Sequence, residues 1–363
     1  MMPLCEFDKG AVSPASFASM GWATPHFSPE EIDAAGAVLA SHPAGETLDD
    51  ALSVINNWRS SHAFPLNTLQ MGLRRKARAA DPGHLVAQRV KRLSSIQAKL
   101  ARFPWLKLSE MQDLGGCRAV VKSVKEVDRL VDIHTKSRMF HRLDHMDNYI
   151  SDPKKSGYRG VHLIYRYQSD YNTAFNGLKI EVQIRSLLQH AWATAVETVG
   201  TLMGESLKSS QGPHGWLRFF ALMGSEIALR ERRPTVPKTP SSREELVTEL
   251  KECAHRLEAV RRLATYSAAI QAPEIYGAKN AKYFLMVLDA TARTVSVTGY
   301  QASEHERALS ALGDRERNVA GTALDAVLVS AESASSLRRA YPNYFLDMRT
   351  FIGEVRKAVS EPA

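Results

Sequence analysis

The sequence has little cysteine: three residues in 363, at Cys5, Cys117 and Cys253. Cysteines this far apart form neither a disulfide framework nor the closely spaced ligand set of a structural zinc site. The sequence also lacks a run of about 18 uncharged apolar residues, so it predicts no membrane-spanning helix. Residues 1–11 lack the apolar stretch of a secretory signal peptide. We therefore expect a cytoplasmic protein with no membrane partner.

Acidic residues are in deficit, with 39 Asp and Glu against 47 Lys and Arg, which gives a net charge of +8. The imbalance is concentrated between residues 71 and 102, where nine basic residues accompany a single acid, Asp81. A field this one-sided attracts phosphates, whether those of a nucleotide or those of a polynucleotide.

The first two thirds of the chain predict a mixed α/β domain over residues 28–231, after an irregular lead-in over 1–27. A helix is expected to begin at the Ser28-Pro29-Glu30-Glu31 cap. Helical patterns follow at 48–61, 66–80, 84–102, 124–136, 187–207 and 216–230. Strand patterns lie at 117–122, 161–167 and 178–184.

A second part is predicted after a proline-rich linker at 232–240, where Pro234, Pro237 and Pro240 recur every third residue. Ser242 and Glu245 form a capping-box signature that opens a long helix over 241–272. Its narrow apolar stripe suits packing on its own domain or a coiled coil between two copies. A hairpin at 283–298, a strand at 326–330 and helices at 333–340 and 346–359 predict a small α+β domain over 273–363.

Two clusters lie in the first domain before residue 120. Within the helix predicted over 84–102, Arg89, Arg92 and Lys99 would share one face and Lys91 would stand off it. That face suits a triphosphate clamp, or an ordinary solvated helix. Asp113 then precedes two glycines and Arg118 at the start of a strand. The carboxylate could hold Mg²⁺, although Asp and Gly are also ordinary turn residues.

Two further clusters follow. A Pro-Lys-Lys-Ser-Gly loop containing Lys154 leads into Tyr158 and His162, which combines cations with an aromatic ring on which a base could stack. On the strand at 178–184, the alternation predicts that Glu181 and Gln183 share a polar face with Arg185 while Val182 and Ile184 enter the core. Each cluster also suits a purely structural role, a basic turn in one case and an amphipathic strand in the other.

Taken together and in this order, the four clusters resemble the synthetase domain of the RelA/SpoT family, over residues 57–204. The resemblance implies a nucleotidyltransferase-like mixed sheet flanked by helices. It also implies a pyrophosphokinase that transfers the β,γ-pyrophosphate of ATP to a ribose 3′-hydroxyl with Mg²⁺. It assigns the metal and catalytic acids to Asp113 and Glu181. The ATP-binding residues it implies are Arg89, Lys91, Lys99 and Arg118, and the acceptor-binding residues are Lys154, Tyr158, His162 and Gln183.

The acceptor loop departs from the alarmone synthetases, which usually have N-G-Y-x-S-x-H where this chain has Ser156, Gly157, Tyr158, Arg159, Gly160, Val161 and His162. The departure puts a guanine nucleotide in doubt as acceptor. No paired His-Asp hydrolase region accompanies the synthetase motifs.

The substituted loop and the C-terminal part resemble CapRel-type toxic small synthetases, which are toxins fused to their own antitoxin. That resemblance implies the 3′-terminal adenosine of tRNA as acceptor, inhibition of translation in anti-phage defence, and release by a phage protein. It also implies that Tyr341 and Tyr344 of a Tyr-Pro-Asn-Tyr motif block the ATP site, although the pair could instead belong to a C-terminal core. The alternatives are a (p)ppGpp synthetase that uses GDP or GTP, and an inactive nucleotide- or RNA-binding regulator.

Overall fold

The computed structural model of the chain describes residues 22–41, 46–203, 207, 213–267, 274–277, 280–289, 291–292, 294–319, 324–331, 334–345 and 347–360. Most of the predicted lead-in lies outside these ranges, and residues 22–27 form neither helix nor strand. The described chain is a mixed α/β structure built on one sheet. Among the described helices, none has the length and apolarity needed to cross a membrane.

A helical layer opens the described chain. It comprises α1 (Pro29–Ala40), α2 (Glu46–Ser61), α3 (Ala63–Ala80) and, after strand β1 (Leu85–Val90), α4 (Leu93–Arg102). The predicted cap is confirmed: the Ser28 hydroxyl accepts the Glu31 N–H, and the Glu31 carboxylate accepts the Ser28 N–H. Helices α1, α2 and α4 bury a common apolar core, which also takes in the loop after α4.

The helix predicted over 84–102 is wrong in its first half. Residues 85–90 form β1, which pairs antiparallel with the next strand, and the helix begins only after Arg92, whose backbone is extended. Arg89 and Lys99 therefore do not share a helical face, because one lies on a strand and the other on a helix.

The next elements complete the half of the sheet that carries the predicted site. They are β2 (Gly115–Val121), α5 (Val124–Lys136), β3 (Arg142–Asn148), β4 (Val161–Arg166) and β5 (Lys179–Ser186). The strand order is β3-β4-β5-β2-β1, in which only β2 and β5 run parallel. Strand β3 was not predicted, because it is a polar and largely exposed edge strand without a regular apolar alternation.

Four helices follow: α6 (Leu187–Met203), α7 (His214–Arg230), α8 (Arg243–Arg256) and α9 (Ala259–Ser267). The single long helix predicted over 241–272 is wrong. The Ser242 side chain does cap α8 by accepting the Glu245 N–H, but the helix breaks at Glu258, whose φ is 48°. The apolar stripe of α8 packs in a core with α6 and α7 of the same chain. The proline segment lies against α7, where the Val236 N–H donates to the Ser225 hydroxyl at 2.8 Å.

The last part contains β6 (Glu274–Gly277), β7 (Tyr283–Asp289), β8 (Thr294–Tyr300), α10 (His305–Val319), β9 (Leu324–Ser330), α11 (Ala334–Ala340) and α12 (Arg349–Ser360). The predicted hairpin is confirmed as β7 and β8. Strand β9 pairs with β7 and also with β1, so the sheet continues in the order β1-β9-β7-β8-β6. The pairing of β9 with β1 spans two residue pairs, Gln88 with Ser330 and Arg89 with Val329. The division into domains at 232–240 stays a prediction, since one nine-stranded sheet runs through both parts.

The two faces of the sheet have different roles. Val182 and Ile184 of β5 point into a core that α3 and α5 share with the sheet, as the alternation predicts. Polar side chains of β5 lie on the opposite face, over which α6 packs. That second face carries the candidate site.

Candidate active site

Asp113 lies two residues before β2 and binds two lysines. Its Oδ2 is 2.6 Å from Lys91 Nζ, and its Oδ1 is 2.9 Å from Lys99 Nζ. Lys91 follows β1 directly, and Lys99 lies on the last turn of α4. Two predicted ATP-binding cations therefore meet at one predicted catalytic acid, and Lys91, which was expected to stand apart, belongs to the same cluster.

The two lysines control the charge of Asp113. Burial is the largest influence and would raise the pKa of its carboxyl. The adjacent ammonium groups of Lys91 and Lys99 outweigh that effect and hold the pKa well below its usual range. Asp113 is therefore an anion at neutral pH, and the cluster carries a surplus of one positive charge when both lysines are protonated.

Glu181 is held by a closed ring of hydrogen bonds. His162 Nδ1 lies 2.7 Å from Glu181 Oε1, and Gln183 Nε2 donates to Glu181 Oε2 at 2.6 Å. Arg185 Nη2 donates to Gln183 Oε1 and to the Tyr158 hydroxyl oxygen, both at 2.8 Å. A hydrogen bond between Tyr158 and His162 Nε2 completes the ring. All five side chains come from β4, β5 or the loop before β4.

The donors in this ring all point toward Glu181. An ionised carboxylate only accepts, so His162 must donate from Nδ1, and in a neutral ring its Nε2 then accepts from the Tyr158 hydroxyl. Two chains of hydrogen bonds thus run from the Arg185 cation to Glu181. Burial is the largest influence on the pKa of Glu181 and would raise it, but His162 and Gln183 lower it below its usual range. The ring therefore keeps Glu181 oriented and ionised.

Tyr158 is not an open stacking surface in this structure. Its side chain is 4% exposed and belongs to the core that contains Trp192 and Phe220. The preceding Gly157 has a φ of 95°, and a Cβ there would lie 2.8 Å from the Phe220 carbonyl oxygen. Only glycine suits this close approach, so the loop is fixed with Tyr158 turned inward. The expectation that Tyr158 stacks on a base thus finds no accessible ring face here, because both its ring and its hydroxyl are already engaged.

Lys154 lies in the same loop but faces a different tyrosine more closely. Its Nζ is 3.9 Å from the ring centroid of Tyr149 and 5.5 Å from that of Tyr158. The Tyr149 ring also packs edge-on against His162, with centroids 5.3 Å apart. Tyr149 is half-buried and is the aromatic side chain that borders the predicted acceptor residues.

The other two predicted ATP-binding residues, Arg89 and Arg118, face the C-terminal part of the chain. Arg118 lies opposite Gln183 on the neighbouring strand. Its Nη2 donates to the Ala340 carbonyl oxygen at 2.7 Å, and its Cζ lies 5.6 Å from the ring centroid of Tyr341. Arg89 lies on β1, two strands from Glu181, and is directly opposite Val329 of β9.

Tyr341 and Tyr344 are both buried, at 3% and 1% exposure, in a core that includes residues of β1, β7 and β9. The Tyr341 hydroxyl donates to the Gln88 carbonyl oxygen at 2.7 Å, and burial raises its pKa to about 12. The Tyr344 ring lies 5.8 Å from Cζ of Arg92, which also forms an ion pair with Asp325. The pair is thus part of a core and at the same time contacts the predicted ATP-binding face.

A third contact joins the C-terminal part to this region. Glu316 of α10 binds Arg59 of α2 with both carboxylate oxygens, at 2.7 and 2.9 Å. The same carboxylate accepts the Leu93 N–H at the first residue of α4, at 2.9 Å. Both charged side chains are almost fully buried, at 4% and 7% exposure. Glu316 therefore occupies an anion-binding position made by an arginine and a helix N-terminus.

Three of these residues were not predicted for the site. Arg185 was expected on the polar face of β5 without an assigned role, and Tyr149 was not singled out. Glu316 carries no local signal, because it is an ordinary acid in an amphipathic helix and its partner Arg59 lies 257 residues away. Its role depends on tertiary structure that no short motif encodes.

Residues 88–199 match the family described as "Region found in RelA / SpoT proteins". The GTP pyrophosphokinase YjbM of Bacillus subtilis (strain 168) is 32% identical over 116 residues, which are 31% of this chain and 54% of that protein. The GTP pyrophosphokinase YwaC of the same strain is 26% identical over 161 residues, which are 40% of this chain and 76% of that protein.

Among solved structures, small alarmone synthetase 1 from Bacillus subtilis bound to its product pppGpp is 26% identical, with a TM-score of 0.38. The match covers 46% of this chain and 86% of that chain. The chain spans about half the length of YjbM. The matched segment 88–199 includes Asp113 and Glu181 but not the C-terminal part of the chain.

Proposed function

We propose that the protein is a pyrophosphokinase that transfers the β,γ-pyrophosphate of ATP to a ribose 3′-hydroxyl. The observation that carries the proposal is the pairing of Asp113 and Glu181. One precedes β2 and the other lies on β5, and these strands are parallel neighbours in which Gly116 is opposite Glu181. Two fixed anions beside a group of cations suit phosphoryl chemistry, which depends on positioning and charge rather than on a covalent nucleophile.

The ATP phosphates would bind to Lys91, Lys99, Arg89 and Arg118. The Lys91–Asp113–Lys99 cluster has net positive charge when the lysines are protonated, so a polyphosphate can bind there without first removing the carboxylate. Arg118 is now bound to the Ala340 carbonyl oxygen, and a phosphate would be a stronger acceptor for its guanidinium group.

The donor set suits Mg²⁺. The ion is usually held by one or two carboxylates plus substrate phosphates and water. The described residues contain no group of three or more potential metal ligands, so Asp113 and Glu181 would need the phosphates to complete the coordination. When bound, Mg²⁺ would offset charge on the β- and γ-phosphates. The lowered pKa of Glu181 favours this holding role over that of a general base, which works best with a pKa near the ambient pH.

In the reaction, the acceptor's 3′ oxygen forms a bond to the β-phosphorus of ATP. The bond between that phosphorus and the α,β-bridging oxygen breaks, and AMP leaves with the electron pair. The hydroxyl proton leaves to solvent, because Glu181 is held ionised and both ring nitrogens of His162 already form hydrogen bonds. Lys91 and Lys99 would stabilise the charge that develops on the transferred group.

For the acceptor we propose the 3′-terminal adenosine of tRNA. Support comes from Ser156 and Gly160, which replace an amide and a hydroxyl in the acceptor loop, and from the basic stretch over 71–102. The second candidate acceptor is GDP or GTP, favoured by the similarity to the GTP pyrophosphokinases YjbM and YwaC. In the first case the enzyme would inhibit translation as an anti-phage defence toxin, and in the second it would make (p)ppGpp.

We also propose that the C-terminal part restrains the enzyme and that a partner, such as a phage protein, releases it. The contacts of Arg118 with Ala340 and Tyr341, and that of Arg59 with Glu316, support this proposal. A partner that binds the tail better when it is open would shift the population toward activity.

The test is incubation of γ-labelled ATP with the full chain and either tRNA or GDP. Deleting the C-terminal part would disturb the rest of the fold, because β9 pairs with β1 and α12 packs in the core of α6 and α7. The full chain and a Tyr341→Ala/Tyr344→Ala variant are compared instead. Label on tRNA supports the first acceptor and label on GDP the second. Label on neither, with both proteins folded, would favour the inactive regulator.

A further inference from the structure

A small group of aromatic and basic side chains is exposed in the loop between α4 and Asp113. Trp105 is 76% exposed, although tryptophan is mostly buried in folded proteins. Its ring packs edge-on against Phe103, with centroids 5.4 Å apart, and the guanidinium carbon of Arg102 lies 5.1 Å from the Phe103 centroid. Lys107 is exposed two residues further on. We call Arg102, Phe103, Trp105 and Lys107 the aromatic platform.

The platform is fixed by a hydrogen-bonded turn and by contacts with α1. The Leu106 N–H donates to the Phe103 carbonyl oxygen at 2.9 Å, which closes a turn with Pro104 at its second position. Leu108 is buried against Gly36, where an added Cβ would lie 2.8 Å from the Leu108 Cβ. The Ser109 N–H donates to Asp33 of α1. Trp105 is therefore presented to solvent by a fixed turn and not by a loose loop.

The platform borders the candidate active site. Phe103 ends α4, where its N–H donates to the carbonyl oxygen of Lys99, the residue that binds Asp113. The same loop leads directly into Asp113. At its far end the Glu110 carbonyl oxygen accepts the Lys179 ammonium group at the start of β5. The loop thus lies at the end of the sheet where β2 and β5 both begin, next to Asp113 in the chain and bonded to β5 two residues before Glu181.

We propose that the aromatic platform binds the single-stranded 3′ end of an RNA acceptor. Exposed ring faces beside cations fit a ligand with unpaired bases and a phosphate backbone. An apolar protein partner fits less well, because the aliphatic side chains of this loop, Leu106 and Leu108, are half-buried or buried. The inference rests on the proposed function, in which the acceptor is an RNA end, and it supplies a stacking surface that Tyr158 does not offer.

The test is binding of a fluorescein-labelled, eight-nucleotide single-stranded RNA to the full chain, followed by fluorescence anisotropy at fixed salt. The platform is exposed in the structure, so binding does not require release of the tail. Trp105→Ala should weaken binding roughly 5- to 150-fold, the range expected for one lost stacking contact. Trp105→Phe should retain most of the affinity. Phe140→Ala is the matched control, because Phe140 is 79% exposed beside the edge strand β3, three strands from β2.

A blunt RNA duplex should bind with little dependence on Trp105, since its bases are already stacked. Equal binding of the single strand by Trp105→Ala and the parent, or an equal loss in Phe140→Ala, would overturn the platform. Absence of single-strand binding by the parent would do the same. The label-transfer assay tests the proposed function separately. Labelling of GDP but not tRNA, with Trp105-dependent RNA binding intact, would remove the tRNA acceptor and leave the platform. Labelling of tRNA with no effect of Trp105→Ala on RNA binding would retain the tRNA acceptor and overturn the platform.

Discussion

The substitution Glu316→Gln tests whether the C-terminal part restrains the site. It keeps the shape of the side chain but removes its charge and replaces one of its two acceptor oxygens with a donor. In the wild-type chain these oxygens bind two guanidinium nitrogens of Arg59 and the Leu93 N–H. In the variant, one guanidinium N–H would face an amide NH₂ group in a buried position.

Breaking a buried ion pair from one side costs about 3–5 kcal/mol. The cost applies only while α10 lies on α2, because water can solvate Arg59 once the tail has moved away. The ratio of open to closed molecules should therefore rise on the order of 10²–10³-fold, at about 1.4 kcal/mol for each factor of ten. Under the proposed restraint the closed form binds no ATP, so apparent ATP affinity should improve by the same factor until the open form predominates.

The assay is equilibrium binding of a fluorescent ATP analogue to the full chain, with a thermal melt of each variant. Asp314→Asn on the same helix is the control, because Asp314 pairs with Arg317 at the exposed surface, where such pairs contribute at most about 1 kcal/mol. If Glu316→Gln folds and melts like the parent but binds ATP no more tightly, the restraint by α10 is refuted. A large drop in melting temperature without tighter ATP binding would assign the ion pair to folding alone.

Three further outcomes are expected. Asp113→Asn or Glu181→Gln should lower pyrophosphate transfer by roughly a thousandfold or more, because a carboxylate that holds the metal contributes on the order of several kcal/mol to the transition state. The circular dichroism spectrum should be unchanged. Near-normal turnover would show that the active site lies elsewhere. Tyr341→Ala with Tyr344→Ala should increase transfer and toxicity in cells if the pair blocks the site, whereas a destabilised, protease-sensitive tail with unchanged activity would make it a core pair. Burial lowers the folded-state pKa of His62 from 6.5 to about 4. The unfolded chain then binds more protons between these values, so stability should fall by up to about 3 kcal/mol as the pH drops from 6.5 to 4. His62→Gln should reduce the pH dependence of the melting temperature, and an unchanged dependence would contradict the assignment.

Local patterns predicted the elements whose signals lie within a few residues. The alternation in β5 correctly separated Glu181 and Gln183 from the buried Val182, because side chains on a strand alternate between faces. The Ser28 cap and the hairpin of β7 and β8 were predicted for similar reasons. The residues named for the site from the resemblance include Lys91, Lys99 and Asp113, which the structure brings into direct contact.

The errors arose where distant partners decide the structure. Residues 85–90 contain good helix formers next to a real helix, yet they form a strand because β2 and β9 supply hydrogen-bond partners on both sides. The break at Glu258 divides a continuous apolar stripe, and no proline or glycine at that position indicates it in the sequence. The burial of Tyr158 depends on Phe220 and Trp192, which follow it by more than thirty residues.

The two residue pairs between β9 and β1 have a consequence for the order of synthesis. The strands that carry Asp113 and Glu181 leave the ribosome before β9, α10 and the Tyr341–Tyr344 segment exist. About 160 residues separate the end of β5 from Tyr344, which is roughly 8–30 s of translation at 5–20 residues per second. During that interval the nascent chain would have a free β1 edge and no restraint on Arg118. Under the proposed restraint, the C-terminal part would limit the site only after each molecule is complete, so the cell would have to tolerate a brief unrestrained period for every copy that it makes.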